Sequence, residues 1–305
     1  MKIRRSKILL GLFIVLSLSS CRDKDNIIPD NNAPYYGTIA TVLIENYINR
    51  SFIDLIGREP LDAEMDHYLQ YLRDNDLSFE SRDQMLLELQ TDTTWIPGDT
   101  SYFHAYHQRM YDLFKARFLE GVGDQQLNQE IGILNFQIQL DTLQGNWDKY
   151  EEHVKERQRY MDVLLCRSKY RDGSWTIDTV CEKMIDNGVY DYINMNTFNF
   201  VNASFDNYFW RYPTQEEFWA GFWMVENNEP QIIFQQSGSN KTDYIHILIS
   251  TNEFLEGNII WAYKLAVARD PSTQEVSNLI WSFAQDMDLK SVQRKIMITD
   301  EYAGF

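Results

Sequence analysis

Apolar residues recur at intervals of three and four along most of this chain, the spacing that lines one face of an α-helix. Residues 101–120 (SYFHAYHQRMYDLFKARFLE) read as a strongly amphipathic helix, broken by Gly121 and Gly123. Residues 124–166 suit a helical hairpin that turns near Gly145-Asn146, and Asp172-Gly173-Ser174 and Asn187-Gly188 mark further turns. Between Glu229 and Lys241 the helical period lapses. Pro230, Gly238 and the short apolar run Ile232-Ile233-Phe234 predict a loop or small hairpin there. Only 14 glycines and 7 prolines occur in 305 residues, so breaks are few and elements run long. The pattern predicts an all-α fold of roughly ten to thirteen helices.

One pattern occurs three times. Tyr47 to Pro60 (YINRSFIDLIGREP) is followed by Glu64, Phe205 to Pro213 (FDNYFWRYP) by Glu217, and Trp261 to Pro271 (WAYKLAVARDP) by Glu275. Each copy reads aromatic-rich helix, Arg-x-Pro-x-x-x-Glu, second helix. The proline cannot continue the first helix but suits the first turn of the next, and it forces its predecessor into extended geometry. The glutamate falls in that first turn, where a helix N-terminus favours negative charge, and the arginine at the end of the preceding helix can reach it. Arg58–Glu64, Arg211–Glu217 and Arg269–Glu275 are therefore expected to be structural corner pairs. Copies two and three end on Ser250-Thr251-Asn252-Glu253-Phe254 and Thr299-Asp300-Glu301-Tyr302, and the first on Thr91-Asp92-Thr93-Thr94-Trp95. This predicts about three repeated three-helix units, at 35–98, 196–257 and 258–305, around a central helical region at 99–195 that holds the hairpin.

The first 34 residues follow other rules. Lys2, Arg4, Arg5 and Lys7 precede the apolar stretch 8–18, which is too short for a comfortable membrane span, and Leu18-Ser19-Ser20-Cys21 follows. This order predicts a lipoprotein signal peptide at 1–20 with lipidation on Cys21. Residues 21–34 (CRDKDNIIPDNNAP) then form a polar, flexible tether. The chain has 28 basic and 45 acidic residues. Without the four basic residues of the signal, 24 face 45, a balance of −21 that repels phosphate backbones and excludes nucleic acid as a natural partner. The same charge leaves the lipid as the attachment to a membrane. Aromatics make up 14% of the chain, a load that helix packing absorbs more readily than a binding surface does.

Chemistry-bearing residues are sparse. Cys166 and Cys181 lie in a compartment that permits a disulfide, and only their geometry decides whether one forms. His104 and His107 share a helix face at i and i+3, a weak metal-ligand candidate without the spacing or glutamate of a zinc protease. No nucleophile elbow, phosphate-binding glycine loop or dinucleotide fingerprint occurs, and no catalytic residue or cofactor is expected. Phe218, Trp219, Phe222 and Trp223 form an aromatic stripe at helical spacing. A buried helix face is its first reading, and an interaction or sugar-stacking surface its second.

The signal, Cys21 and the acidic residues Asp23 and Asp25 resemble Bacteroidota-type outer-membrane lipoproteins. The Arg-x-Pro-x-x-x-Glu copies resemble the small helical domain of unknown function of bacterial surface-layer and secreted proteins, itself similar to phycobilisome linkers. Arg50 to Pro60 (RSFIDLIGREP) also resembles the opening of an uncharacterised domain of planctomycete surface proteins. These resemblances imply assembly work and carry over no active site. The expectation is a non-enzymatic, lipid-anchored component of an outer-membrane protein complex, such as an accessory subunit of an export or biogenesis machine. Its partner would be an integral outer-membrane protein or another envelope lipoprotein, with the cell surface favoured slightly over the periplasmic face. A surface glycan-binding lipoprotein is the alternative, and an enzyme comes third.

Overall fold

Polar side chains open most of the helices. Ser101, Asn196, Thr214, Thr251 and Ser272 each accept a hydrogen bond from a first-turn amide, satisfying a donor that the helix leaves free. The computed structural model describes residues 39–305, and the expected signal peptide, Cys21 and the expected tether lie outside the described residues. The fold is all-α. In chain order the helices are α1 (Thr41–Leu55), α2 (Asp62–Asp74), α3 (Phe79–Thr91), α4 (Tyr102–Phe118), α5 (Asp124–Gln144), α6 (Trp147–Arg171), α7 (Ile177–Ile185) and α8 (Gly188–Asn194). They continue with α9 (Thr197–Phe209), α10 (Gln215–Asn227), α11 (Lys241–Ile249), α12 (Asn252–Val267), α13 (Thr273–Asp286), α14 (Leu289–Met297) and α15 (Asp300–Ala303). That makes fifteen among the described residues, more than the sequence pattern predicts. The excess comes from pieces such as α8 and α15, which are seven and four residues long and too short to show a period.

The segment 229–241 is a hairpin. Strands β1 (Gln231–Ile233) and β2 (Gln236–Gly238) pair antiparallel, with Ile232 opposite Ser237. Its two-residue turn holds Phe234 and Gln235 at φ of 50° and 62°, left-handed values more often filled by glycine or asparagine. Packing retains Phe234 there: its ring lies 6.0 Å from Phe205 and 5.6 Å from Phe209.

Helices α5 and α6 form the expected antiparallel hairpin, turning at Gly145 with φ of 71°. His153 and Asp141 pair across it at 2.6 Å. Helix α6 lies on α4 and α7, while α12 packs on α9, α13 and α14. The C-terminal helices return to the first ones. Arg294 pairs with Asp83 at 3.0 Å, and Arg50 donates to the Tyr302 carbonyl at 2.9 Å. Most of the aromatic load is interior, and several buried tyrosine hydroxyls meet polar partners, while that of Tyr47 has none among the described residues. Tyr106 donates to Gln293, Tyr190 to Asn207, Tyr208 to the Cys181 carbonyl and Tyr302 to Asp54.

Candidate functional site

The three corners share one geometry. Each arginine forks onto its glutamate: Arg58 to Glu64 at 2.7 and 2.8 Å, Arg211 to Glu217 at 2.8 and 2.8 Å, Arg269 to Glu275 at 3.0 and 2.7 Å. The same glutamate accepts the N-cap amide of the next helix, from Leu61, Thr214 or Ser272. The residue before each arginine is left-handed: Gly57 at 83°, Trp210 at 58°, Ala268 at 55°. A second carboxylate closes each fork, Asp99 on Arg58, Glu253 on Arg211 and Glu301 on Arg269. The first corner is thus closed by Asp99, just before the Ser101 cap, 41 residues past its arginine, against 42 at the second corner and 32 at the third. The segment 91–95 proposed from sequence does not fill this role, and Trp95 in it is exposed.

Electrostatics keep these acids ionised. Burial would raise Glu64 and Glu217, but the guanidinium fork and the N-cap amide together outweigh it, and both lie below the usual range. Glu275 is drawn down to about 2, by Arg269 first and the Ser272 amide second. With both oxygens occupied, these carboxylates fix chain direction and are poorly placed to exchange protons with a substrate.

The histidines do not converge on a site. His107 is buried with Nδ1 2.7 Å from the Phe103 carbonyl, its ring among Phe103, Tyr106 and Tyr170, and burial pulls it down to about 4. His104 is exposed and meets Ser101 Oγ at 3.0 Å. Among the described residues no group of three potential ligands could hold a metal ion. Cys166 and Cys181 are buried free thiols on the adjoining helices α6 and α7. Burial pushes Cys181 up to about 12 and raises Cys166 as well, so neither is poised as a nucleophile.

The aromatic stripe on α10 departs from its first reading. Phe218, Gly221 and Met224 form the buried face, and a methyl on Gly221 would lie 2.6 Å from the Tyr244 ring. Trp219 and Trp223 remain 45% and 38% exposed, with Phe222 half-buried. Positions 218, 219, 222 and 223 span an arc of about 140° on one side of a helix, and the buried face, centred on Gly221, takes only the edge of that arc at Phe218. Phe198 on α9, 57% exposed, extends the cluster. Ring centres run Phe198–Phe218 at 4.9 Å, Phe218–Phe222 at 6.1 Å, Trp219–Phe222 at 5.6 Å and Trp219–Trp223 at 6.0 Å, the two indoles within 24° of parallel. A cavity of about 230 Å³ at the N-terminal end of α9 is lined by Asp191, Met195, Asn196, Thr197, Val225 and Lys241 among others. Lys241 is held by Asp191 at 2.5 Å.

Behind Lys241 lies a charged cleft of about 390 Å³ between α6 and the start of α11. Arg159 bonds Glu156 at 2.6 Å, Asp191 at 2.9 Å and Asp186 at 3.0 Å. These pairs knit three segments together. Nothing in the sequence pattern marks this network or Phe198, because their partners come from separate helices. Compared with known proteins, the chain matches no family model, no curated protein and no solved structure.

Proposed function

We propose that this chain is a non-enzymatic binding component of a bacterial outer membrane, anchored by a lipid on Cys21, that docks an integral outer-membrane protein through the aromatic face of α9 and α10. The observation that carries this reading is the run of five rings from Phe198 to Trp223, two of them exposed tryptophans on a rigid helix. Tryptophan anchors dominate protein interfaces because they bury large area at little conformational cost. Confinement to the membrane plane raises the effective concentration of such an anchor near its partner. Asp23 and Asp25 behind the lipid cysteine favour the cell surface over the periplasmic face.

The test is affinity purification of the tagged full-length chain from detergent-solubilised envelope, with mass spectrometry of what accompanies it. An integral outer-membrane protein is expected at near-stoichiometric yield, falling at least about tenfold in a Trp219→Ala, Trp223→Ala variant that keeps its helical content. Equal yield from that variant refutes the docking face. The near-parallel, half-exposed indoles favour glycan as the second reading. Saturable binding of envelope polysaccharide by the purified chain, lost in the same variant, would decide for it.

A further inference from the structure

Helix α5 is apolar on two opposite sides. Leu127, Ile131, Leu134 and Ile138 face the protein, with Leu127 and Leu134 buried. On the far side Ile133, Phe136, Leu140 and Leu143 are 52%, 60%, 37% and 84% exposed. Their separations of three, four and three residues are those of a coiled-coil seam. Trp147, 60% exposed at the start of α6, continues the apolar surface past the turn. We propose that a second copy of this chain docks here, its α5 packing against this α5 across a two-fold axis.

Charge argues for a self-contact. The chain after its signal carries −21, so two copies repel through most surfaces, yet between 125 and 146 the only charged residues are Glu130 and Asp141. Asp141 faces inward to His153, and the seam is flanked by neutral amides such as Gln125, Gln129, Gln139 and Gln144. The exposed face of α5 is thus the side on which two acidic copies approach with least repulsion. A two-fold contact asks only that this strip complement itself, which a heptad seam does. A bilayer is the poorer occupant, because 125–146 holds no lysine or arginine, Arg157 reaching α5 from α6 is engaged by Asn135, and Lys149 beyond Trp147 stands among Asp148, Glu151 and Glu152.

Area and backbone agree. The five side chains offer on the order of 600 Å², against about 800 Å² per partner in a standard interface, and the glutamine rim supplies the balance. Gly132 sits inside α5 at the edge of the seam, and a methyl there would meet nothing within 4 Å in its own chain. Mid-helix glycine is unfavourable unless something approaches closely, and a facing helix is such an approach.

Sedimentation equilibrium of the full lipidated chain in density-matched nonionic detergent tests this. A dimer is expected, with Phe136→Glu, Leu143→Glu raising its Kd about a hundredfold or more while far-ultraviolet circular dichroism keeps the wild-type helical content. Leu143→Gln alone, at the most exposed position, should raise Kd about tenfold and guards against a misfolded double variant. Trp219→Ala should leave the dimer intact. A wild-type chain monomeric at about 100 µM, a dimer indifferent to Leu143→Gln, or co-flotation with lipid vesicles lost in Leu143→Gln without any dimer would each overturn the proposal.

Discussion

Gly257→Ala should be among the most damaging single-methyl additions this fold can receive. Gly257 lies where α12 crosses α9, and its own carbonyl accepts the Trp210 Nε1–H at 2.8 Å. A Cβ there would stand 2.9 Å from the Tyr208 carbonyl carbon, about 1 Å inside ordinary contact, and closer still to its oxygen. Both clashing groups are backbone, so no side chain can swing away. Separation of the helices would loosen Tyr208 against Phe254 and strain the Arg117 bonds to the Asn207 carbonyl and Asn258. Overpacking contributes about 1–3 kcal/mol and two or three weakened hydrogen bonds about 1 kcal/mol each, while alanine's better helix propensity returns about 1 kcal/mol. The net expectation is a loss of about 3 kcal/mol. Urea titration followed by far-ultraviolet circular dichroism reads it, with Gly132→Ala as the control. In dilute monomer that open site should gain about 1 kcal/mol from the same substitution. If Gly257→Ala stays within about 1 kcal/mol of wild type, the crossing is looser than the geometry says and the reasoning fails.

Three further expectations rest on separate observations. Ala268 holds φ of 55° where Gly57 occupies the matching corner, so Ala268→Gly should raise stability by about 1 kcal/mol in the same titration. Glu64, Glu217 and Glu275 titrate below their unfolded values. Their contribution is therefore full above about pH 4.5 and lost as pH falls toward about 2, and acid titration of Glu275→Gln should show a shallower loss than wild type. Cys166 and Cys181 should both take up alkylating reagent in unreduced protein once it is unfolded, and neither before, and a mass two hydrogens short of the free dithiol would contradict this.

The corners were legible because arginine, proline and glutamate stand within seven residues, and local rules of caps and breakers fix what such neighbours do. Glu253 and Glu301 could be placed by the helix starts around them. Asp99 could not, since the loop from Ile96 to Thr100 places the acid that closes the first corner seven residues after Asp92, the acid its composition suggests. The aromatic stripe shows a different limit. Periodicity reveals that a side is apolar without revealing whether another helix covers it, and on α10 packing took Phe218 and left Trp219 and Trp223 outside.

Helix α5 carries the same argument further. With apolar residues on opposite sides their directions cancel, so a periodic reading sees a helix with no preferred face, where the fold uses one face and leaves the other. That remainder is informative because most buried polar groups among the described residues are matched, the Tyr47 hydroxyl being an exception. Tyr106, Tyr208 and Tyr302 reach polar partners, the corner arginines meet two acids each, and Arg159 and Lys241 in the charged cleft are paired with acids. Against such order, exposed rings on α10 and an exposed heptad seam on α5 are better explained by contact than by slack packing. The two surfaces also differ in kind. The platform on α9 and α10 offers wide rings, two of them indoles, suited to a partner unlike itself, while the α5 seam offers Ile133, Phe136, Leu140 and Leu143 in a heptad pattern flanked by neutral amides, suited to its own copy. A tethered chain with both would present its platform in pairs, so the partner contact would gain from two linked sites whenever the spacing of the two copies lets both engage.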